Sequence, residues 1–156
     1  MHTIIAVARS ADHEFSKQLL NCIDLIKGEG VAGDCHHGVT VKHRSRVAVD
    51  PTQPNLRHVH LIHAELFDEL STFGHTVKPG QLGENITTRG IDLLALPRDT
   101  LLMLGKSAVI QLTGLRNPCH QIEDFQTGLL SKVVYKHDDG TLVRKTGVMA
   151  VVLEGG

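Results

Sequence analysis

Apolar positions along this chain come in short runs separated by glycine, proline and polar clusters. Thr3 to Ala8 is an apolar run that predicts a buried strand. Ser10 to Ser16 is polar and predicts a loop. Leu19 to Ile26 is apolar enough for a helix or a strand, and Gly28 and Gly30 end it abruptly, which favours a strand. From Gly33 to Asn55 the chain is rich in Gly, His, Arg and Pro. A segment of that length without periodicity reads as a long functional loop. His58 to Ile62 alternates as a strand does, and His63 to Thr72 repeats apolar residues at helical spacing through Ala64, Leu66, Phe67 and Leu70. The second half holds short β-type runs at Glu84–Thr88, Leu101–Leu104 and Ala108–Thr113, separated by glycines and Pro97. Cys119 to Tyr135 has room for one or two short helices. Asp138-Asp139-Gly140 is a hairpin turn signal, and Val148 to Leu153 reads as a closing strand. The pattern predicts a mainly β fold, a barrel or sandwich with a few short helices, and the length of 156 residues suits one domain over 1–156.

Composition narrows the classes. Aromatics make up 3 % of the chain, with no Trp and one Tyr, so the core is aliphatic and base-stacking platforms are not expected. A formal net charge of −1 gives no global field to attract nucleic acid. No apolar stretch reaches the length of a membrane span, and the first residues lack the pattern of a secretory signal. The three cysteines, Cys22, Cys35 and Cys119, form no CxxC pair, which argues against a disulfide framework or a Cys-rich zinc site and for a reducing cytoplasmic setting. Cys22 has no special flanks and is expected in the core. The eleven histidines are the oddity, since many titrate between about pH 5 and 8 and some could be ligands.

Three segments carry chemistry. In Leu112-Thr113-Gly114-Leu115-Arg116-Asn117-Pro118-Cys119, a strand ends and Pro118 holds Asn117 extended, so the thiol sits on a pre-set turn near a guanidinium. A thiolate is the form that attacks or binds metal, and a nearby cation favours it. A buried, inert cysteine is the plain alternative, but core packing does not call for an Arg-Asn-Pro flank. In Gly33-Asp34-Cys35-His36-His37-Gly38, two glycines bracket polar groups, and Asp34 could orient an imidazole or simply cap a turn. In Gly80-Gln81-Leu82-Gly83-Glu84-Asn85, a carboxylate and a carboxamide open a strand, where they can read the donor and acceptor edge of a heterocycle or merely mark a loop-to-strand junction. Lys42, His43, Arg44 and Arg46 form a local basic cluster, suited to a phosphate or to solvent. His58 and His60 share a strand face; without a third recognisable ligand they read as structural or exposed.

Taken in order, Gly33–Gly38, Leu82–Asn85 and Gly114–Cys119 resemble the MOSC family, named for the C-terminal domain of molybdenum cofactor sulfurases, in its stand-alone bacterial form. The likeness extends over nearly the whole chain. It implies a β-barrel-type fold and a site for the molybdenum cofactor (molybdopterin), with Cys119 as molybdenum ligand or persulfide carrier. Relatives reduce N-hydroxylated compounds with electrons from partner proteins, and others are thought to move sulfur into metal–sulfur centres. The chain has no aminotransferase-like domain, so pyridoxal phosphate is not expected and any sulfur would come from a separate cysteine desulfurase. It also has no four-cysteine ferredoxin segment, so a reductase would need an external electron donor protein and a small-molecule substrate. On this reading Arg116, with Lys42, Arg44 and Arg46, holds the cofactor's phosphate. Glu84 and Asn85 meet the pterin edge, and Asp34 and Asn117 complete the cofactor site. His36 or His37 lies near the substrate as a proton donor or a polar group of the pocket. A non-catalytic ligand-binding or sensing module is the third reading.

Overall fold

In the computed structural model, residues 2–35 and 57–156 are described. Eleven strands and three short helices follow one another along them. The strands are β1 (Thr3–Arg9), β2 (Gln18–Leu20), β3 (Leu25–Ile26), β4 (Gly30–Val31), β5 (Val59–His63), β6 (Ile86–Arg89), β7 (Leu101–Leu104), β8 (Ala108–Leu115), β9 (Val134–Lys136), β10 (Leu142–Arg144) and β11 (Val148–Glu154). The helices are α1 (Glu65–Ser71), α2 (Gln121–Phe125) and α3 (Leu130–Val133), and a 3-10 turn spans Leu93–Ala95.

Seven strands form one mixed sheet in the order β2-β1-β6-β5-β11-β8-β7. Every neighbouring pair is antiparallel except β5–β6, which α1 connects as a crossover. The mainly β expectation with a few short helices is therefore borne out. The barrel is not closed: among the described residues β2 pairs only with β1 and β7 only with β8, and the edges do not meet. Strands β2 to β4 are two or three residues each, too short to carry a ladder across the gap. The expected closing strand, β11, lies inside the sheet between β5 and β8.

Burial follows the strand period. Ala108, Ile110 and Leu112 of β8 and Val148, Ala150 and Val152 of β11 point to one core with Val59, Leu61 and Ile86. Ile62, on the opposite face of β5, joins a second core with Leu66, Phe67 and Leu70 of α1, Ile122 of α2, Val133 of α3, and Leu82. Strand β5 is thus buried on both faces, and the second core carries the glycine-rich loop and the α2 turn.

Two sequence expectations fail at the other edge. Strand β1 forms, but Ile4 and Ile5 are 39 % and 45 % exposed, because β1 is covered by only three residues of β2 and its register with β6 slips between Ile4 and Ala6. The Leu19–Ile26 run breaks into β2 and β3, and the bend between them carries Cys22 out to solvent, not into the core. The hairpin at Asp138-Asp139-Gly140 joins β9 to β10 as the turn signal requires.

Candidate functional site

Four loops and one strand meet beside Cys119. The first loop follows β1 and carries Phe15, Ser16 and Lys17. The second, 80–85, leads into β6. The third leaves β8 through Arg116 to Cys119, and the fourth joins β10 to β11 through Lys145, Thr146 and Gly147. Backbone and side-chain bonds tie them together. Lys17 donates its N–H to the Gly80 carbonyl at 2.8 Å, and Ser16 Oγ donates to the Gln81 carbonyl at 2.8 Å. Arg116 Nη1 donates to the Leu82 carbonyl at 2.6 Å, and its backbone N–H to the Gly147 carbonyl at 3.0 Å. The glycines of the second loop are required by contact. A Cβ on Gly80 would lie 2.7 Å from the Lys17 carbonyl oxygen, one on Gly83 would lie 2.8 Å from that of Phe15, and both residues have positive φ.

Cys119 is half-buried and in no disulfide, and its Sγ–H donates weakly to Gln121 Oε1 at 3.5 Å. Helix α2 begins just beyond it but is only five residues long, so the cation beside the thiol is Arg116. The guanidinium stands 5.8 Å from the Phe15 ring centroid, and Phe15 in turn packs on Phe125 at 5.7 Å. Burial pushes the Arg116 pKa down, while the Cys119 and Glu84 side chains nearby pull it back up.

Glu84 has no exposed surface, and among the described residues neither carboxyl oxygen meets a donor at hydrogen-bonding geometry. Burial raises its pKa to about 7, against the lowering pull of the Gly80 N–H, Arg116 and Lys17. Thr146 Oγ1 is a second fully buried polar atom without a partner among the described residues. His60 donates from Nε2 to the Thr146 carbonyl at 2.6 Å, the only role open to a nitrogen facing a carbonyl. Burial first, then the charge of Arg116, holds His60 neutral with a pKa well below the ordinary value. His58 Nδ1 accepts the Val152 N–H at 3.0 Å, so both histidines of the strand face are structural.

Asp34 and Asn85 form a buried joint behind this face. Lys17 Nζ reaches both Asp34 oxygens at 2.9 Å, with both side chains almost fully enclosed. Asp34 also accepts the Ser10 N–H at 3.0 Å and an N–H of Asn85 at 3.3 Å. Asn85 uses its other N–H on the Ala8 carbonyl at 3.1 Å and accepts the His60 N–H at 3.1 Å. The structure therefore brings Glu84, Arg116 and Cys119 to one place and sets Asn85 and Asp34 as the brace that fixes β1, β5 and the loop root. Asn117 is exposed and accepts a hydrogen bond from Arg144. His36, His37, Lys42, Arg44 and Arg46 lie outside the described residues. Sequence reasoning missed Lys17, Phe15 and Arg144, whose local patterns carry no signal; only the fold brings Phe15 and Arg144 to the cysteine turn and Lys17 to Asp34.

The MOSC domain family profile matches residues 37–156. The chain belongs to the MOSC domain family. That family is linked to molybdenum cofactor binding. This MOSC chain is similar in structure to the YUAD protein from Bacillus subtilis, at 20 % identity and a TM-score of 0.70, over 100 % of this chain and 90 % of that one. It is similar to YiiM from Geobacillus stearothermophilus at 15 % identity and a TM-score of 0.68, over 100 % of this chain and 70 % of that one. For YiiM from Escherichia coli the identity is 17 % and the TM-score 0.62, over 100 % and 64 %. These likenesses speak for the fold. No curated protein matches the chain. Among the described residues of this MOSC chain no three His, Cys, Asp or Glu side chains are grouped to hold a metal ion, and no helix is long and apolar enough to cross a membrane.

Proposed function

We propose that this MOSC chain binds a molybdenum cofactor through Cys119 and reduces N-hydroxylated compounds. The observation that carries the reading is the half-buried Cys119 thiol, in no disulfide and backed by the Arg116 guanidinium. One soft thiolate suits a metal that arrives already held by its own sulfur and oxo ligands. The Glu84 carboxyl and Thr146 hydroxyl, without partners among the described residues, fit the same group, since a polar organic ligand has donors and acceptors to offer them. When bound, the cofactor would supply the two-electron redox chemistry.

The chain's own residues hold and tune. Cys119 would supply the sulfur ligand, and Arg116 would attract the cofactor's phosphate. Glu84, whose pKa burial raises to about 7, would in its protonated form donate one hydrogen bond and accept another at the heterocycle edge. Asp34, Lys17 and Asn85 would keep that edge in place. Asn117, with His36, His37, Lys42, Arg44 and Arg46, completes the proposed site. Reduction of an N-hydroxyl compound to the amine and water takes two electrons and two protons; the electrons would come from a separate donor protein.

The same lone thiol beside Arg116 also suits a sulfur carrier fed by a cysteine desulfurase, with a persulfide on Cys119. The test is cofactor-loaded protein assayed with a reduced viologen dye and a hydroxylaminopurine. The reductase reading expects amine formation that disappears in Cys119→Ala. No amine from loaded protein, together with sulfane sulfur taken up on Cys119 from a desulfurase, would replace it with the carrier reading. Ligand binding that survives Cys119→Ala without turnover would leave a sensing module.

A further inference from the structure

The hairpin of β9 and β10 stands apart from the main sheet yet reaches the cysteine turn. It is anchored at its end by Lys145, whose Nζ bonds both oxygens of Glu69 on α1 at 2.9 Å and whose N–H bonds the Val133 carbonyl at 2.8 Å. The preceding residue, Arg144, donates from Nη1 to Asn117 Oδ1. Pro118 holds Asn117 extended, so its backbone stands only about 7 Å from that of Cys119. The Arg144 Nε–H is buried and meets no acceptor among the described residues. A guanidinium presents five donors in a fixed plane, and this one has an enclosed edge unspent beside the reactive turn.

We propose that Arg144 is the second cationic arm of the Cys119 site: it positions the turn through Asn117 and, opposite Arg116, selects ligands that carry an oxyanion group next to the reacting atom. Arg116 reaches the turn from β8 and is held by the Leu82 carbonyl and the Phe15 ring, whereas Arg144 comes from the hairpin and bonds Asn117 of the turn. Two guanidiniums from different elements at one turn would set a positive field there that a neutral reagent does not feel and an anionic one does. The inference rests on Cys119 being the reactive residue of the proposed site, but not on molybdenum being bound, so it is tested on the protein without cofactor.

The experiment compares alkylation of Cys119 by iodoacetate, an anion, and iodoacetamide, its neutral analogue, read by peptide mass spectrometry. Exposed Cys22 is the internal reference. One charge near a partly screened thiol predicts a change of about threefold. Arg144→Gln should therefore lower the iodoacetate-to-iodoacetamide ratio about threefold at Cys119 and leave Cys22 unchanged, and Arg144→Lys should keep most of the ratio. An unchanged ratio at Cys119, or an equal loss with both reagents, would overturn the proposal and leave Arg144 a purely structural strut. A wild-type readout stays available if the variants do not fold. Added salt should slow iodoacetate at Cys119 and spare iodoacetamide, and the absence of that difference would also overturn it.

Discussion

A carboxyl group with no exposed surface, whose oxygens meet no donor at hydrogen-bonding geometry among the described residues, is a costly thing to keep, and Glu84 is one. Burial raises its pKa from 4.5 to about 7, so the folded protein holds its proton more tightly than the unfolded chain does. That contribution to stability is complete below about pH 4.5, falls as the pH rises through the folded value, and is gone above about pH 7. Each pH unit is worth about 1.4 kcal/mol, so the full loss is about 3 kcal/mol. Glu84→Gln does not titrate. Urea unfolding at pH 5 and pH 8 should show the variant gaining about 3 kcal/mol on the wild type between the two, and parallel curves would mean the carboxyl is solvated. His60 works in the opposite direction: its depressed pKa costs stability as the pH falls below 6.5, and it is common to both proteins in the comparison. The sequence announced Glu84 as a candidate through its place after Gly83, yet not its burial, which depends on how the second core closes over it. Lys17 had no signal at all, because an isolated lysine in a polar stretch looks like any solvated one until the fold pairs it with Asp34.

At the scale of elements, the site depends on loops pressed backbone to backbone. Gly83 has φ +88 and would bring a Cβ within 2.8 Å of the Phe15 carbonyl oxygen. Gly83→Ala must shift both the 80–85 loop and the strand start that holds Glu84, and should cost about 1–3 kcal/mol in chemical denaturation. A stability equal to wild type would show that the two loops do not pack as described. The Lys17–Asp34 pair is the companion brace. Lys17→Met leaves a buried carboxylate without its cation and should cost about 3–5 kcal/mol, whereas a loss under 1 kcal/mol would mean the pair is exposed to water. Strands and helices were legible where the apolar period was long, as in β5, α1, β8 and β11. Leu19–Ile26 failed because an unbroken apolar run says nothing about a bend at Asn21–Asp24, and Cys22 went to solvent with it.

For the whole molecule, the arrangement is an open seven-stranded sheet with a helical core on one side and the cysteine turn at their junction. Three separated motifs in order gave the family from the sequence, and the fold explains why they act together: loops 80–85 and 116–119 bond directly through Arg116 and Leu82, and Asp34 joins them through Asn85. What periodicity could not give was the open edge, since closure depends on pairing between distant strands and on lengths as short as β2 and β3. The proposal for this site stands on Cys119 as the ligand of a molybdenum–pterin group. The most direct measurement is the molybdenum and released pterin content of protein purified from a host able to make the cofactor, beside Cys119→Ala of equal stability. The account predicts about one of each per wild-type chain and loss of molybdenum in the variant. Molybdenum absent from the wild type even after reloading, or retained in full by Cys119→Ala, would contradict it.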